Sequence, residues 1–296
     1  MLELEFCMVN FVRTQIAAAI TTAVTAGLAL VTAAPVQATP SLSPYVAMGD
    51  SYSAGSGIIP LDPTVTPVCA RTTRNYPNLV AKSLGIASFK DVTCGDADTT
   101  HFYEKQWPSL TPQLDAVTAD TKLVTLTIGG NNNNTLIKVI SACISAGSVT
   151  VGLGNPCEDI YGGRFVDDIL NKTFPDVKKA LTDIRAKAPS AKVAIVGYPQ
   201  VMPADNSNCF LKMPIAKGDV AYINNIQGTL NSVVKRAADE TGATFVDMSS
   251  SVGHDACKPI GTRWVEPALW GLNFVPIHPN ATGMQKMADQ VLAAVR

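Results

Sequence analysis

The chain has 296 residues, of which 47% are hydrophobic, and its 23 basic and 24 acidic residues leave a formal net charge of −1. A chain of this length and apolar content can bury a full core, either as one large domain or as two small ones. Nucleic-acid-binding proteins carry clustered basic surfaces, and this sequence has no block of Lys and Arg residues. We therefore expect neither a nucleic-acid partner nor electrostatic attraction of a charged substrate.

The N-terminus has the pattern of an export signal. Arg13 precedes an apolar stretch from Ile16 to Val31, which leads into Val36-Gln37-Ala38, a sequence with small residues where signal peptidases require them. This pattern predicts a signal peptide over residues 1–38, cleaved after Ala38, and a mature domain over residues 39–296. The mature protein is then secreted, either to the medium or to the cell envelope.

Two features of this segment leave alternatives open. Glu3 and Glu5 do not suit the positively charged start of a signal peptide, so Met8 is an alternative start to Met1. A membrane anchor is the rival to secretion, but an anchor needs about 20 strongly apolar residues. Because the segment is rich in Ala and Thr, we expect export without stable membrane insertion.

Six cysteines follow the predicted cleavage site, and an even set in an exported chain favours disulfides over free thiols. There is no paired Cys-x-x-Cys spacing, no His-Glu-x-x-His, no nucleotide-binding glycine pattern and no acidic calcium loop, so we expect no metal and no organic cofactor. Six cysteines allow fifteen pairings that sequence does not distinguish. The simplest is the sequential one, Cys69 with Cys94, Cys143 with Cys157 and Cys209 with Cys257.

Along the mature chain, short β-rich runs alternate with helical patterns. The predicted strands are Tyr45–Gly49, Phe89–Thr93, Leu123–Ile128, Lys192–Gly197 and Ala243–Asp247. The predicted helices are Asn75–Leu84, Phe165–Lys187, Val220–Glu240 and Met284–Val295. This alternation indicates a single three-layer α/β domain with a central, mostly parallel, five-stranded sheet. Residues 142–163, rich in Gly and Ser, are predicted to form a disulfide-stapled excursion above the sheet.

Candidate functional residues follow the predicted strand ends, which meet at one edge of a parallel sheet, where such folds bind ligands. Ser51 follows the first strand as either a nucleophile or the N-cap of the next helix, and this segment alone does not decide between them. The turn Cys94-Gly95-Asp96 follows the second strand, and Gly129-Gly130-Asn131 follows the third. A serine hydroxyl beside backbone and amide donors is the arrangement that acyl transfer needs.

A serine nucleophile requires a base, most often a histidine, and the chain has three histidines. His278 is favoured because its loop leads straight into the final helix and can reach the sheet edge. His254 follows the fifth strand, and His101 lies just past the second turn. Both remain alternatives on spacing alone.

Three motifs occur in an order that resembles the GDSL-type SGNH hydrolases: Gly49-Asp50-Ser51-Tyr52-Ser53-Ala54-Gly55, Gly129-Gly130-Asn131 and His278-Pro279-Asn280-Ala281-Thr282-Gly283. The resemblance spans the mature chain and is closest to the secreted actinobacterial esterases and lipases, also in the six cysteines. It implies a flavodoxin-like three-layer α/β fold, with Ser51 as nucleophile, His278 as general base and Asn131 as an oxyanion-hole amide. The remaining oxyanion donors would be the Ser51 backbone N–H and one N–H in the second turn, where Gly95 is preferred over Asp96.

The sequence departs from the family pattern at the residue that orients the histidine. The family often has an acid three residues before the histidine, where this chain has Val275. Because some related esterases use a backbone carbonyl instead, the Val275 carbonyl is the expected partner of His278. An acid from elsewhere, Asp255 or Asp205, is the alternative.

These features predict a secreted serine hydrolase that cleaves carboxylic esters of lipids or small molecules through a Ser-His acyl-enzyme, with a monomer as the simplest state. The alternatives are a catalytically weakened envelope protein that binds lipids or acylated glycans, and an acyltransferase on the same fold. Just before His278 lie candidates for an acyl-binding wall, for which ordinary core packing is an equal alternative: Trp264, Trp270, Leu272 and Phe274.

Overall fold

A five-stranded, all-parallel sheet forms the centre of the protein in the computed structural model, which describes residues 41–296. The strand order is β2-β1-β3-β4-β5. β1 and β3 are buried along their whole length and β4 along all but its first residue, as expected for a sheet covered on both faces. The strands are β1 (Tyr45–Gly49), β2 (Phe89–Asp91), β3 (Leu123–Thr127), β4 (Lys192–Val196) and β5 (Thr244–Val246).

Eight α-helices are found among the described residues. Four of them lead back from the carboxyl edge of the sheet and cover it: α2 (Tyr76–Ser83), α6 (Phe174–Lys187), α7 (Asp219–Thr241) and α8 (Ala281–Val295). The others lie in connections at the carboxyl edge: α1 (Ser51–Ala54), α3 (Ile137–Val149), α4 (Pro156–Tyr161) and α5 (Arg164–Asp168).

The order of the strands determines both the layers and the position of the ligand crevice. The chain moves in one direction from β1 to β2 and in the other from β3 to β5, so right-handed crossovers place the connecting helices on opposite faces. Accordingly, α2 packs with α8, and α6 packs with α7. The predicted three-layer α/β fold is confirmed. Its switch of direction between β1 and β3 is where such sheets bind ligands.

Two connections differ from the sequence prediction. The helix expected over Phe165–Lys187 is divided by a π-helical turn, Ile169–Thr173, before α6 begins. The excursion expected over residues 142–163 is largely helical, because α3 extends through the Ser-rich segment and its hydroxyls bond to carbonyls one turn back.

Three disulfides join the cysteines in sequential order: Cys69 with Cys94, Cys143 with Cys157 and Cys209 with Cys257. Cys143–Cys157 lies within the connection from β3 to β4, whereas each of the other two disulfides joins the segments before and after one strand, β2 or β5. The predicted signal peptide, its cleavage after Ala38 and the choice between Met1 and Met8 lie outside the described residues.

Candidate active site

Ser51 is the first residue of α1, immediately after β1. Gly49 makes the turn with a φ of +118°, and a Cβ there would lie 2.4 Å from the Thr127 carbonyl oxygen of β3. Only glycine satisfies both requirements. Asp50 caps the helix, since its carboxylate accepts the Tyr52 N–H at 2.9 Å. Capping is therefore done by Asp50, which leaves the Ser51 hydroxyl available for another partner.

That partner is His278, whose Nε2 lies 2.7 Å from the Ser51 Oγ. The two residues are separated by 227 positions in the chain and are only 4% and 6% exposed. On the other side of the ring, Nδ1 lies 2.7 Å from the Pro276 carbonyl oxygen. Because a carbonyl can only accept, Nδ1 carries the proton, and Nε2 is free to accept the serine proton.

The carbonyl that orients His278 belongs to Pro276, and the expectation of Val275 is wrong. Ile277 adopts a left-handed φ of 62°, which turns the chain so that the carbonyl two residues before the histidine, not three, faces Nδ1. The Val275 carbonyl points toward Gly57, where an added Cβ would be 3.0 Å away.

The alternative acids and bases have other partners in the structure. Asp255 accepts the Cys257 N–H, and Asp205 accepts the Ser207 N–H. His101 Nδ1 accepts the Asp98 N–H, and His254 is stacked on Trp264 with Nδ1 2.6 Å from the Thr262 carbonyl. Among the described residues, the orienting partner of His278 is thus the Pro276 carbonyl.

Burial lowers the pKa of His278 to about 4, and the hydrogen bond to Pro276 opposes this shift only in part. The imidazole is therefore neutral at pH 7, which is the form that can accept a proton from Ser51. A carbonyl partner fixes the tautomer, but it stabilises a developing imidazolium less than a carboxylate would.

The turn after β2 presents the N–H of Asp96, and the preference for Gly95 is wrong. The Gly95 N–H donates to the Cys69 carbonyl at 2.8 Å, beside the Cys69–Cys94 disulfide. A Cβ on Gly95 would also lie 2.8 Å from that carbonyl, so this glycine is required for packing. Asp96 has a left-handed φ of 62°, and its N–H donates to no group among residues 41–296.

Asn131 lies against this turn, because its side-chain Nδ2 donates to the Ala97 carbonyl at 3.0 Å. The neighbouring Asn132 bonds the Thr99 backbone and hydroxyl, so it ties the connection after β3 to the turn after β2. The Ser51 N–H, at the start of a helix, has no intrahelical acceptor. The structure thus holds the turn after β2 and the Gly129-Gly130-Asn131 motif together at the same sheet edge as Ser51.

Two buried tyrosines connect the motifs, and neither was identified from the sequence. Tyr198, just past β4, donates its hydroxyl to Asp50 and accepts the Gly130 N–H at 2.7 Å. Tyr52 donates to the Ile277 carbonyl at 2.7 Å. The signal for Tyr198 was present, since it follows a strand end at the same edge as Ser51.

Asp50 is fully enclosed in this network. Burial raises its pKa to about 7, although the hydrogen bonds from Tyr198 and Tyr52 work against the rise. The raised pKa reflects the cost of a charged carboxylate without a cationic partner in an apolar environment.

The histidine loop is held by a buried carboxylate. Glu266 is 0% exposed, and it accepts hydrogen bonds from Arg263 at 2.6 Å, Asn280 at 2.8 Å and the Leu272 N–H at 2.7 Å. Burial favours the neutral acid, but these bonds outweigh it and hold the pKa of Glu266 below its usual range. Its own backbone N–H also donates to the His278 carbonyl.

The proposed acyl-binding wall does not form as a unit. Trp264 is buried, as core packing would have it, whereas the side chains of Trp270, Leu272 and Phe274 are exposed. Within residues 41–296, no group of three metal-ligating side chains is placed to hold a metal ion, and no helix is long and apolar enough to cross a membrane.

Comparison with known proteins gives one consistent result. A family model described as the GDSL-like lipase/acylhydrolase family matches residues 47–286. The sequence is 53% identical over 262 residues to Lipase 2 of Streptomyces coelicolor, covering 88% of each chain. The structure is similar to phospholipase A1 of Streptomyces albidoflavus, with a TM-score of 0.71 and 29% identity over 85% of this chain and 98% of that one. It is also similar to an extracellular lipase of Streptomyces rimosus, with a TM-score of 0.69 and 26% identity over 85% and 99% of the two chains.

Proposed function

Since this chain belongs to the GDSL-like lipase/acylhydrolase family and is a carboxylic ester hydrolase, we propose that it works through an acyl-enzyme formed on Ser51, with His278 as the general base. The observation that carries the proposal is the 2.7 Å contact between the Ser51 Oγ and the neutral Nε2 of His278. A nucleophile within hydrogen-bond reach of an oriented base is the requirement for this chemistry.

The reaction has two balanced steps. Ser51 Oγ attacks the ester carbonyl carbon while its proton passes to His278 Nε2, and the resulting imidazolium then protonates the departing alcohol. Water attacks the acyl-enzyme in the same way, giving up one proton to Nε2, and the carboxylic acid is released as Ser51 regains its proton. Throughout, the Pro276 carbonyl retains the Nδ1 proton and keeps the ring in one tautomer.

The charge that develops on the carbonyl oxygen requires donors, for which we propose the backbone N–H groups of Ser51 and Asp96 and the side-chain amide of Asn131. The two backbone groups have no other acceptor among the described residues. Asn131 is fixed through one amide hydrogen by Ala97 and retains a second hydrogen for the oxyanion. Each such donor is worth about 10²–10³ in rate in other acyl-transfer enzymes.

The proposal extends to substrate and location. Esters of lipids fit best, because the relatives include proteins named as lipases and a phospholipase A1. Export fits the three disulfides, which persist in oxidising compartments, and the extracellular relative from Streptomyces rimosus. We propose residues 1–38 as the signal peptide and residues 39–296 as the secreted hydrolase.

The test is the rate of hydrolysis of p-nitrophenyl esters from acetate to palmitate. Ser51→Ala and His278→Gln are each expected to lower kcat by about 10⁶-fold, because neither partner acts alone. Ser148→Ala, at an exposed serine of α3, is the matched control and should match the wild type. If wild type and Ser51→Ala have equal rates, hydrolysis does not depend on Ser51 and the proposed mechanism is wrong.

A further inference from the structure

The large exposed apolar side chains lie in the connections that leave the carboxyl edge of the sheet. Within residues 41–296, every large exposed hydrophobic residue lies between the carboxyl end of a strand and the return to the next strand, before any of the covering helices α2, α6, α7 and α8 begins. These residues fall in the segments 59–68, 103–107, 149–170, 211 and 252–274. The carboxyl edge is also the edge that carries Ser51 and His278.

The covering helices have the opposite character. Their outer faces carry ion pairs, such as Lys179 with Asp183 on α6, Lys235 with Asp239 on α7 and Lys286 with Asp289 on α8. The molecule is thus charged along its sides and apolar at the end where substrate enters. A patch of this kind marks an interaction site, because soluble proteins rarely expose contiguous apolar surface without one.

Six of these residues, at position 59 and between positions 260 and 274, are here called the apolar rim: Ile59, Ile260, Leu269, Trp270, Leu272 and Phe274. Ile59, Ile260 and Leu272 line the same groove, which has a volume of about 350 Å³. Trp270 is 81% exposed, and these three groove residues are 65–69% exposed. The Phe274 N–H bonds to the Gly57 carbonyl, which brings the two segments of the rim together.

Half of the rim residues have a backbone N–H that is already hydrogen-bonded within the protein, which suits these residues to an apolar phase. The N–H groups of Leu269, Leu272 and Phe274 donate to Lys212, Glu266 and Gly57, respectively. These groups therefore lose no water partner when the rim leaves water, which removes the main cost of placing a loop at an apolar surface.

Charge around the rim also favours a lipid surface. Between residues 256 and 275 the charged residues are Lys258, Arg263 and Glu266. The last two are buried and paired with each other, so the segment presents no free carboxylate to a lipid headgroup. The chain then runs from Phe274 directly to Pro276 and His278, so the rim and the proposed base belong to the same loop.

We propose that the apolar rim docks this enzyme onto the surface of a lipid bilayer, with the Ser51–His278 pair facing the lipid. This inference rests on the proposed function for its choice of a lipid, but docking itself does not require turnover. It can therefore be tested apart from hydrolysis.

The test is flotation with phosphatidylcholine vesicles, using protein recovered after expression of the full chain with Ser51→Ala, so that no lipid is cleaved. We expect Ser51→Ala to float with the vesicles. Adding Ile260→Ser, Trp270→Asn and Leu272→Ser should reduce vesicle binding by about tenfold or more, since apolar burial drives interfacial binding. Asn is chosen at position 270 because Trp270 has a φ of 62°, which Asn tolerates.

The matched control in the same background is Lys235→Ser with Asp239→Ser, which alters an exposed pair on α7 and should leave vesicle binding unchanged. With Ser51 restored, the rim variant should hydrolyse soluble p-nitrophenyl acetate within about twofold of wild type, which shows that it is folded.

Three results would overturn the docking proposal: no vesicle binding by Ser51→Ala, equal binding by the rim variant, or a dimer that the rim variant dissociates, since a second copy would then cover the rim. If the rim substitutions abolish vesicle binding but no Ser51-dependent hydrolysis is found, the docking proposal stands and the proposed mechanism is refuted.

Discussion

The two halves of the candidate site are positioned in different ways. Ser51 is positioned by regular structure: β1 is paired with strands on both sides, and the turn at Gly49 and the cap at Asp50 are its immediate neighbours. His278 lies at the end of a long irregular segment, and its position depends on buried side chains that are distant in sequence, above all Glu266 and Tyr52.

This difference indicates which parts of the site are most sensitive to mutation. A strand end retains its position as long as the sheet is intact, because its backbone bonds are shared with two neighbouring strands. A loop held by a buried ion pair loses its position when one partner is removed, because the remaining charge is left uncompensated. Ile277, a β-branched residue in the left-handed region, persists only because its surroundings hold it there.

The largest effect is expected for Glu266→Ala, which tests whether the histidine loop depends on its buried carboxylate. It leaves the buried Arg263 guanidinium without its carboxylate, so we expect a loss of about 3–5 kcal/mol in the free energy of unfolding, measured by denaturant titration. Glu266→Gln retains most of the shape and should cost less. The control is Glu104→Ala at an exposed position, which should stay within about 0.5 kcal/mol. Equal costs for Glu266→Ala and Glu104→Ala would show that the carboxylate does not hold the loop.

The pH dependence of stability distinguishes the two halves, because folding lowers the pKa of His278 and raises the pKa of Asp50. The pKa of His278 falls from 6.5 to about 4 on folding, so between these values the unfolded state binds more protons, and stability is lost as pH falls. The pKa of Asp50 rises from 3.8 to about 7, so here the folded state binds more protons, and stability is lost as pH rises.

Between pH 4 and pH 6.5 each effect is worth about 3 kcal/mol, and the two largely cancel in the wild type over this range. We expect His278→Gln to lose stability as pH rises from 4 to 6.5, and Asp50→Asn to gain it, in unfolding titrations across this range. The double variant should be nearly flat. If all four proteins have parallel stability curves, the two groups are not buried in the ionisation states described.

A matched pair of tyrosine variants compares the halves directly. Tyr198→Phe removes the hydroxyl that donates to Asp50 Oδ2 and leaves the Gly130 N–H without an acceptor, whereas Tyr52→Phe leaves only the Ile277 carbonyl unpaired. We expect losses in unfolding free energy of about 2–3 and about 1 kcal/mol, respectively. Tyr103→Phe, which removes an exposed hydroxyl bond to Asp183, is the control.

Kinetics should separate the two tyrosines further. Tyr52→Phe loosens the loop of the base, so kcat should fall by about tenfold with little change in KM. If Tyr198→Phe lowers the free energy of unfolding less than Tyr52→Phe does, the two halves of the site are not positioned in the different ways described above.

The sequence predicted the parts of this site that lie next to regular structure. The five strands and the candidates Ser51, Asn131 and His278 followed from apolar runs, their ends and the motif order. The errors lie in the turns: Val275 instead of Pro276, and Gly95 instead of Asp96. Each depended on a left-handed backbone conformation at a non-glycine residue, which sequence reasoning assigns to glycine by default.

Long-range side-chain contacts were equally out of reach. Glu266 is an unremarkable acid in the sequence, and only the fold shows that it accepts hydrogen bonds from Arg263, Asn280 and the Leu272 backbone while fully buried. Strand-end position could have identified Tyr198, but its two partners come from the ends of two other strands.

The smallest effect is expected at Asp96, whose backbone N–H is one of the proposed oxyanion donors. Asp96→Gly keeps the backbone N–H, removes a carboxylate that opposes negative charge on the oxyanion, and suits the φ of 62°. Because Asp96 is exposed and its charge is screened, we expect kcat on a soluble ester to rise only about threefold. Asp96→Asn removes the charge but retains a side chain that tolerates this conformation, so equal gains in both variants assign the effect to charge. A gain in Asp96→Gly alone assigns it to the backbone, and a fall in both would show that the Asp96 carboxylate does not oppose the reaction.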